Sequence, residues 1–497
     1  MTPLGYAWLS NHFGLKTRPL RHRSFLGTSR STRERADGTI EDHFVRKYDP
    51  GDDPLNQLVF ALKYDGLDLD ILSKVVRKIG AEAVAAFISR TPNGKYARQI
   101  ACWFEILTGR EVPLQQAIDV RYTPLLDPDR YVVAPESVRN PKWRVINNAL
   151  GDRRFMPVIR RTPEIRAIEE ADWAGALSET VGTLSQDVLQ RALSFFYFKE
   201  TKSSFAIERE EPGAGKTRRF VVLLHRAGKD ERPLSEAALA AVQNVIVDER
   251  FREDGFRSIQ NYVGETTVNF QEIVHLIAAP PSCHRDVMEG LEGFFAASEG
   301  LHPILRAAAV SFPFVFVHPF NDGNGRIHRY LIHDIMARGG IGGDGLILPF
   351  SAEIVADMRA YDACLERFSK PLLEAAEYEF DAQQGMTVGN PEDLEGFYRY
   401  PDVTPQAGYL AKIVNLTISK SLPEEIRFLE KLELARQAVR EIVDLPDRMR
   451  ESLLMRLHNH NGRLARKRRE GEFKDLTDEE IARIETAFIE AFKVTAR

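Results

Sequence analysis

Apolar residues recur at three- and four-residue spacing through "LNQLVFALKYDGLDLDILSKVVRKIGAEAVAAFI", which predicts helices from Pro54 onward, interrupted at Gly66 and Gly80. "GKYARQIACWFEILTG" reads as a further helix stopped at Gly109. Helical spacing returns in "PEIRAIEEADWAGALSETVGTLSQDVLQRALSFFYFKETKSS" and, near the end, in "PEEIRFLEKLELARQAVREIV" and "TDEEIARIETAFIEAF". The last of these opens with Thr477 three residues before Glu480, a capping-box pattern. Residues 1 to about 50 show no period and read as loop, and the Pro-, Asp- and Arg-rich stretch from Val112 to Arg161 fits no single element. "SFPFVFV" reads locally as a buried strand. With no internal repeat or low-complexity tract, the expected fold class is mostly α.

Five regions follow: an N-terminal helical region over 1–120, a connector with leading helices over 121–199, a Gly-, Pro- and aromatic-rich core over 200–375, a linker over 376–404 and a C-terminal helical domain over 405–497. The 497 residues are 43% hydrophobic, enough to bury several cores. With 67 Lys+Arg against 72 Asp+Glu the net charge is -5, so no global basic field draws nucleic acid or an anionic membrane. The basic run "GRLARKRREGEFK" lacks interleaved aromatics and reads as a solvated helix face. Three scattered cysteines, Cys102, Cys283 and Cys364, indicate a reducing compartment without a disulfide framework. No secretory leader pattern and no apolar run of membrane-spanning length occur, so a cytoplasmic protein without membrane attachment is expected.

"GAGKT", residues 213 to 217, imitates the end of a phosphate-binding P-loop. That loop needs a first glycine at position 210, where Glu210 stands, followed by Glu211 and Pro212. Two carboxylates repel the anion and Pro212 lacks an N–H to offer it, so a Gly-rich surface turn ahead of "RRFVVLL" is expected instead.

The chemistry lies in "VHPFNDGNGRIHR", residues 317 to 329. Gly323 and Gly325 permit a tight turn, and "RIHRYLIHDIMARGG" continues it as a helix, whose N-terminus favours phosphate. Arg326 and Arg329, three apart, share one face and can reach phosphate oxygens. Asp322 supplies a hard oxygen ligand for Mg²⁺, and His318 is a candidate general base. His328 and His333 are five apart, not the four of a zinc pair, and are expected to have packing or helix-surface roles.

This string resembles the signature of the Fic family, H-x-F-x-[D/E]-G-N-G-R-x-x-R, with every defined position matched. The resemblance covers about residues 200–375 and implies a Fic-type helical core with a β-hairpin flap, flanked by N- and C-terminal helical regions; it also places a helix at "SFPFVFV", made irregular by Pro313. It also implies transfer of AMP from ATP to a Ser, Thr or Tyr hydroxyl of a protein, with release of pyrophosphate. By that resemblance His318 deprotonates the hydroxyl and Asp322 holds Mg²⁺. Gly323, Asn324 and Gly325 form the anion hole, Arg326 and Arg329 bind the outer phosphates, and Phe320 anchors the loop. Gly325, where the kinase-like Doc branch has lysine, favours AMP transfer. Tyr361, in "VADMRAYDACLERF", matches the adenosine-side helix, although Asp357 stands where Asn is common.

"SSFAIER" resembles the family's inhibitory motif [S/T]-x-x-x-E-[G/N] through Ser204 and Glu208, and its place before the core resembles the N-terminal inhibitory class. Glu208 would pair with Arg329 and occupy the γ-phosphate's position; Arg209 departs from the pattern. "DGFRSIQNYVGE" resembles the flap, with Arg257, Ile259, Gln260, Asn261 and Tyr262 positioning a target segment by strand addition. Two other readings stay open: removal of AMP from modified proteins by the same site, and a nucleotide-sensing regulatory protein without transferase activity. The expected partner is a protein with an acceptor hydroxyl. A homo-oligomer stays open, and nucleic acid is not an expected partner.

Overall fold

The computed structural model describes all residues except 37, 115, 183, 185, 270, 344, 382–384 and 494–497. The fold is mostly α, with four small sheets among the described residues. At its centre the helix Pro303–Val317 packs against the helix Asn324–Arg338. Every residue of the first from Ile304 to Val317 is buried. "SFPFVFV" is helical, with Pro313 inside the helix, as the family resemblance implies; its local strand reading arises because an apolar run enclosed on all sides carries no period to separate the two.

Around this pair one hydrophobic cluster gathers the helices Ala214–Leu224, Glu236–Ile246, His284–Ala297 and Met358–Ala375. The helix Gln186–Ile207 contributes Phe196, Phe205 and Ile207. The stretch 376–404 is no linker. It forms a hairpin, Tyr378–Asp381 with Gly385–Val388, and the helix Pro391–Arg399, whose Leu394 and Phe397 enter the same cluster. Tyr398 donates its hydroxyl to the Ile277 carbonyl at 2.7 Å, fixing this helix against the hairpin that precedes the site.

The N-terminal 50 residues, expected as loop, hold a four-stranded sheet ordered Pro3–Leu4, His22–Leu26, Ile40–Phe44, Ser31–Glu34. Its polar strands conceal the alternation because buried positions are filled by Ser24 and Asp42 as well as by Phe44. The Val112–Arg161 stretch contains a three-stranded sheet, Thr123–Pro124, Val145–Asn147 and Val138–Asn140. A separate C-terminal cluster surrounds Leu454, Phe473 and Phe488. There Thr477 and Glu480 form the reciprocal capping box, with Glu480 N donating to Thr477 Oγ1 at 3.2 Å and Thr477 N to Glu480 Oε2 at 2.7 Å. The basic run pairs internally: Arg463 and Arg469 with Glu485, Arg466 with Glu470 and Arg468 with Glu472. Among the described residues no helix is long and apolar enough to cross a membrane.

"AGKT" is not the expected surface turn but the first turn of the Ala214–Leu224 helix, with Gly213 as N-cap. The element before it is a helix, not the strand a P-loop follows. Lys216 points back to Glu210 at 3.8 Å. Lys216→Ala should therefore leave ATP affinity within about twofold by calorimetry, whereas loss of a P-loop lysine would remove a charged phosphate contact and weaken it at least about tenfold.

Candidate active site

The central helix stops at His318, which takes left-handed backbone angles (φ 55°, ψ 60°). Its Nδ1 lies 3.1 Å from the Val315 carbonyl. A carbonyl only accepts, so Nδ1 carries the hydrogen and Nε2 keeps its lone pair. Burial lowers the His318 pKa to about 4, with Arg257 adding to the effect and the Val315 carbonyl, Glu208 and Asp322 opposing it. The imidazole is neutral at physiological pH.

The loop after it is held by its own side chains. Asn324 Oδ1 accepts from Phe320 N at 3.1 Å while its Nδ2 donates to Phe320 O at 2.8 Å, so this side chain braces the loop and leaves its backbone amide at the helix start. Phe320 is buried against Phe256 with ring centroids 5.4 Å apart. Gly323, the helix N-cap, has φ 93°, a conformation open to glycine. The first N–H groups of the Asn324–Arg338 helix consequently face outward without intrahelical partners, the arrangement that receives an anion.

Arg326 and Arg329 of that helix are buried, and both meet carboxylates from one preceding turn. Arg329 Nη2 donates to Glu208 Oε1 at 2.8 Å and to the Ser204 carbonyl at 2.7 Å, and its Nε donates to Ser204 Oγ at 2.9 Å. Arg326 Nη1 donates to Glu210 Oε2 and its Nη2 to Asp322 Oδ1, each at 3.0 Å. The turn that aims both acids follows the Gln186–Ile207 helix. Arg209 adopts φ 57°, and Glu210 N closes onto the Phe205 carbonyl at 3.0 Å. This is the left-handed helix ending that Gly or Asn ordinarily supplies. The departure at Arg209 thus leaves the backbone path intact.

Desolvation raises the Glu208 pKa, but Arg329, then Arg326 and His318, outweigh it and hold the carboxyl below its ordinary value. A Cβ at position 325 would sit 2.1 Å from Glu208 Oε1, so glycine there is what admits the carboxylate.

The flap differs from its expected form. Only Tyr262–Thr266 is a strand, paired antiparallel with Glu272–Ile277 in a sheet of two. Residues 256–261 are irregular. Arg257, expected on a strand facing a target, is buried, and its guanidinium grips backbone carbonyls. Gln260 Nε2 donates to Ala278 O at 2.8 Å and Asn261 Oδ1 accepts from Tyr262 N at 2.8 Å, whereas Ile259 is exposed. Tyr262 donates to Glu272 at 3.1 Å and meets the Phe380 ring at 5.2 Å, joining the flap to the later hairpin.

Tyr361 is buried beside Arg329, and burial raises its pKa. His328 and His333 are packing residues and neither lies on the helix surface: His328 Nδ1 meets Ser311 O at 2.8 Å, and His333 lies 2.9 Å from Glu200. Sequence reasoning did not find Glu210 or Glu253. Glu253 accepts from Asn321 N at 2.8 Å and from its Nδ2 at 2.9 Å, steadying the loop beside Asp322. An acid two residues after the motif glutamate was visible, but its partner lies 116 residues away.

Among the described residues no group of three His, Cys, Asp or Glu side chains is placed to hold a metal. Asp322 alone suits Mg²⁺, which is commonly held by one or two carboxylates together with substrate phosphates. The buried Arg326 Nε and Arg329 Nη1 make no hydrogen bond within the protein, donors that phosphate oxygens satisfy.

A neutral histidine, an amide-lined helix start and two buried arginines stand together on one loop–helix unit, an arrangement chemically suited to a phosphate ester. Residues 233–336 match the Fic/DOC family model. The chain is similar to the protein adenylyltransferase fic-1 of Caenorhabditis elegans, with 29% identity over 188 residues. That match takes in 36% of this chain and 30% of the relative's length. Among solved structures it is similar to a Fic family protein from Desulfovibrio desulfuricans (17% identity, TM-score 0.38, 56% of this chain and 80% of the other). Another is a Fic domain-containing signaling protein from Bacteroides thetaiotaomicron (19% identity, TM-score 0.34, 53% and 97%).

Proposed function

We propose that this chain is a protein adenylyltransferase restrained by its own Glu208. The observation that carries the reading is the Glu208–Arg329 pair, formed on the same short helix start that His318 overlooks. In the reaction the acceptor hydroxyl gives its proton to His318 Nε2 as its oxygen bonds to the α-phosphorus of ATP. The bond to the bridging oxygen of the β-phosphate breaks and pyrophosphate leaves. The backbone amides of Asn324 and Gly325 stabilise the charge on the α-phosphoryl oxygens, and Arg326 and Arg329 hold the outer phosphates. Tyr361 lines the nucleotide side. Mg²⁺, when bound through Asp322, neutralises phosphate charge. The unpaired outer edge of Tyr262–Thr266 receives an extended target segment and brings its Ser, Thr or Tyr to His318.

Glu208 takes the place of the γ-phosphate on Arg329. Glu210 adds a second restraint by holding Arg326, which in turn holds Asp322. Glu210 is 39% exposed, so its pairing is screened and contributes well under about 1 kcal/mol. Glu210→Gln in the Glu208→Gly background should accordingly raise AMP transfer only about twofold. No change over Glu208→Gly would remove Glu210 from the mechanism.

The deciding experiment supplies ATP labelled separately at the α- and γ-phosphates to wild type, Glu208→Gly and His318→Ala. Protein label from the α position alone, rising in Glu208→Gly and absent in His318→Ala, is the expected result. Label from γ would place the enzyme with the kinase-like branch. No label, together with release of AMP from a modified protein, would replace transfer with removal.

A further inference from the structure

We propose that Arg257 is the positioning residue for His318, a single guanidinium that sets the histidine and both stems of the flap in one register. The inference rests on the reading of His318 as general base. Arg257 is 3% exposed. Its Nε donates to the His318 carbonyl at 2.8 Å, and its Nη2 donates to Val317 O at 3.2 Å and Ala279 O at 2.6 Å. Nη1 donates to Ile259 O at 2.6 Å, and the Arg257 amide donates to Pro319 O at 2.9 Å.

These acceptors belong to three parts of the site. Val317 and His318 close the central helix, where the last carbonyls have no intrahelical partner. His318 then turns into left-handed angles that a side chain with a Cβ seldom adopts, and such a conformation persists only where its surroundings fix it. Pro319 begins the motif loop. Ile259 precedes the first flap strand and Ala279 follows the second, so the guanidinium closes the base of the hairpin. Ala279 N also donates to Val317 O at 3.1 Å, a direct backbone tie between flap stem and helix end.

Arginine is suited to this and lysine is not. Four carbonyls approach from different directions in the guanidinium plane, and only a planar fork with five N–H groups serves them all. No carboxylate of the described residues forms a salt bridge with Arg257; Glu253, Tyr398 and Cys283 are its charged or titratable neighbours at longer range. The charged groups facing His318 are Arg257, Glu208 and Asp322. A buried cation satisfied by carbonyls alone is retained at a desolvation cost, which points to the precise placement it supplies.

The test uses the full chain in the Glu208→Gly background with Arg257→Ala and Arg257→Lys. AMP transfer should fall about 10- to 100-fold in kcat, as expected for a base displaced by a fraction of an ångström. The Kd for Mg²⁺-ATP, read by calorimetry, should stay within about twofold, because Arg326, Arg329 and the helix start are untouched. Added guanidinium ion should restore part of the activity of Arg257→Ala, and Arg257→Lys should remain slow. Hydrogen exchange should rise in residues 259–279 and 317–320 and nowhere else. Unchanged kcat would overturn the proposal. So would loss of nucleotide affinity and melting temperature in step with activity, without guanidinium rescue, because Arg257 would then serve the fold alone. His318→Ala in the same background separates the two ideas. Activity surviving that change would remove the base itself, whereas activity lost there but kept in Arg257→Ala would remove only the positioning role.

Discussion

Glu208→Gly should raise the rate of AMP transfer about ten- to thirtyfold. Arg329 is 1% exposed and spends two of its nitrogens on Glu208 and Ser204. A hydrogen bond to a charged group contributes about 1.5–3 kcal/mol, and with 36% of Glu208 open to solvent the lower part of that range applies. Each 1.4 kcal/mol is a tenfold change in the fraction of enzyme that admits the γ-phosphate in its productive place. The effect should appear in kcat/KM for ATP at low nucleotide, read as α-label incorporated into protein. Acid does not substitute for the mutation. The Glu208 pKa lies below its ordinary value, so the pair stays ionised from pH 8 down through the usual carboxylate range, and lowering the pH to 6 should leave wild type restrained. A Glu208→Gly enzyme no faster than wild type would sink the restraint.

His318→Ala should lower AMP transfer by about 10²- to 10⁴-fold while ATP still binds, since the phosphate groups meet the helix start and the arginines rather than the imidazole. The pH profile of the Glu208→Gly enzyme carries the same information. A base works deprotonated, and burial sets the His318 pKa at about 4, so activity should be level between about pH 5 and 8 and fall only on approach to pH 4. A free histidine would instead lose activity through about pH 6.5. A midpoint near 6.5, or full activity in His318→Ala, would assign proton removal to another group.

Much of the site was legible because its parts are contiguous. The histidine, the acid, the glycine turn and both arginines fall within residues 318 to 329, and local geometry alone carries them onto one helix start. The Glu208–Arg329 pair was legible through the spacing of Glu208 from Ser204, and Arg209 takes the left-handed angles of the turn although it carries a Cβ. Glu210 entered the sequence reading only as the residue that breaks the P-loop pattern, because nothing near it in the chain reveals a partner 116 positions later. Arg257 was misplaced for a deeper reason. Its acceptors are backbone carbonyls, which every residue has, so no choice of side chain announces them. The N-terminal sheet read as loop failed because its strands hold too many polar residues to leave a period, and the central helix, whose apolar run has no period either, was legible through the family resemblance alone.

Gly325 ties two choices of this sequence together. A Cβ at that position would collide with the Glu208 carboxylate where it now lies, so residue 325 and the acid compete for one volume. Lysine at 325 would have to push the Glu208 carboxylate off Arg329, so filling this one position should undo the ion pair as surely as removing the acid.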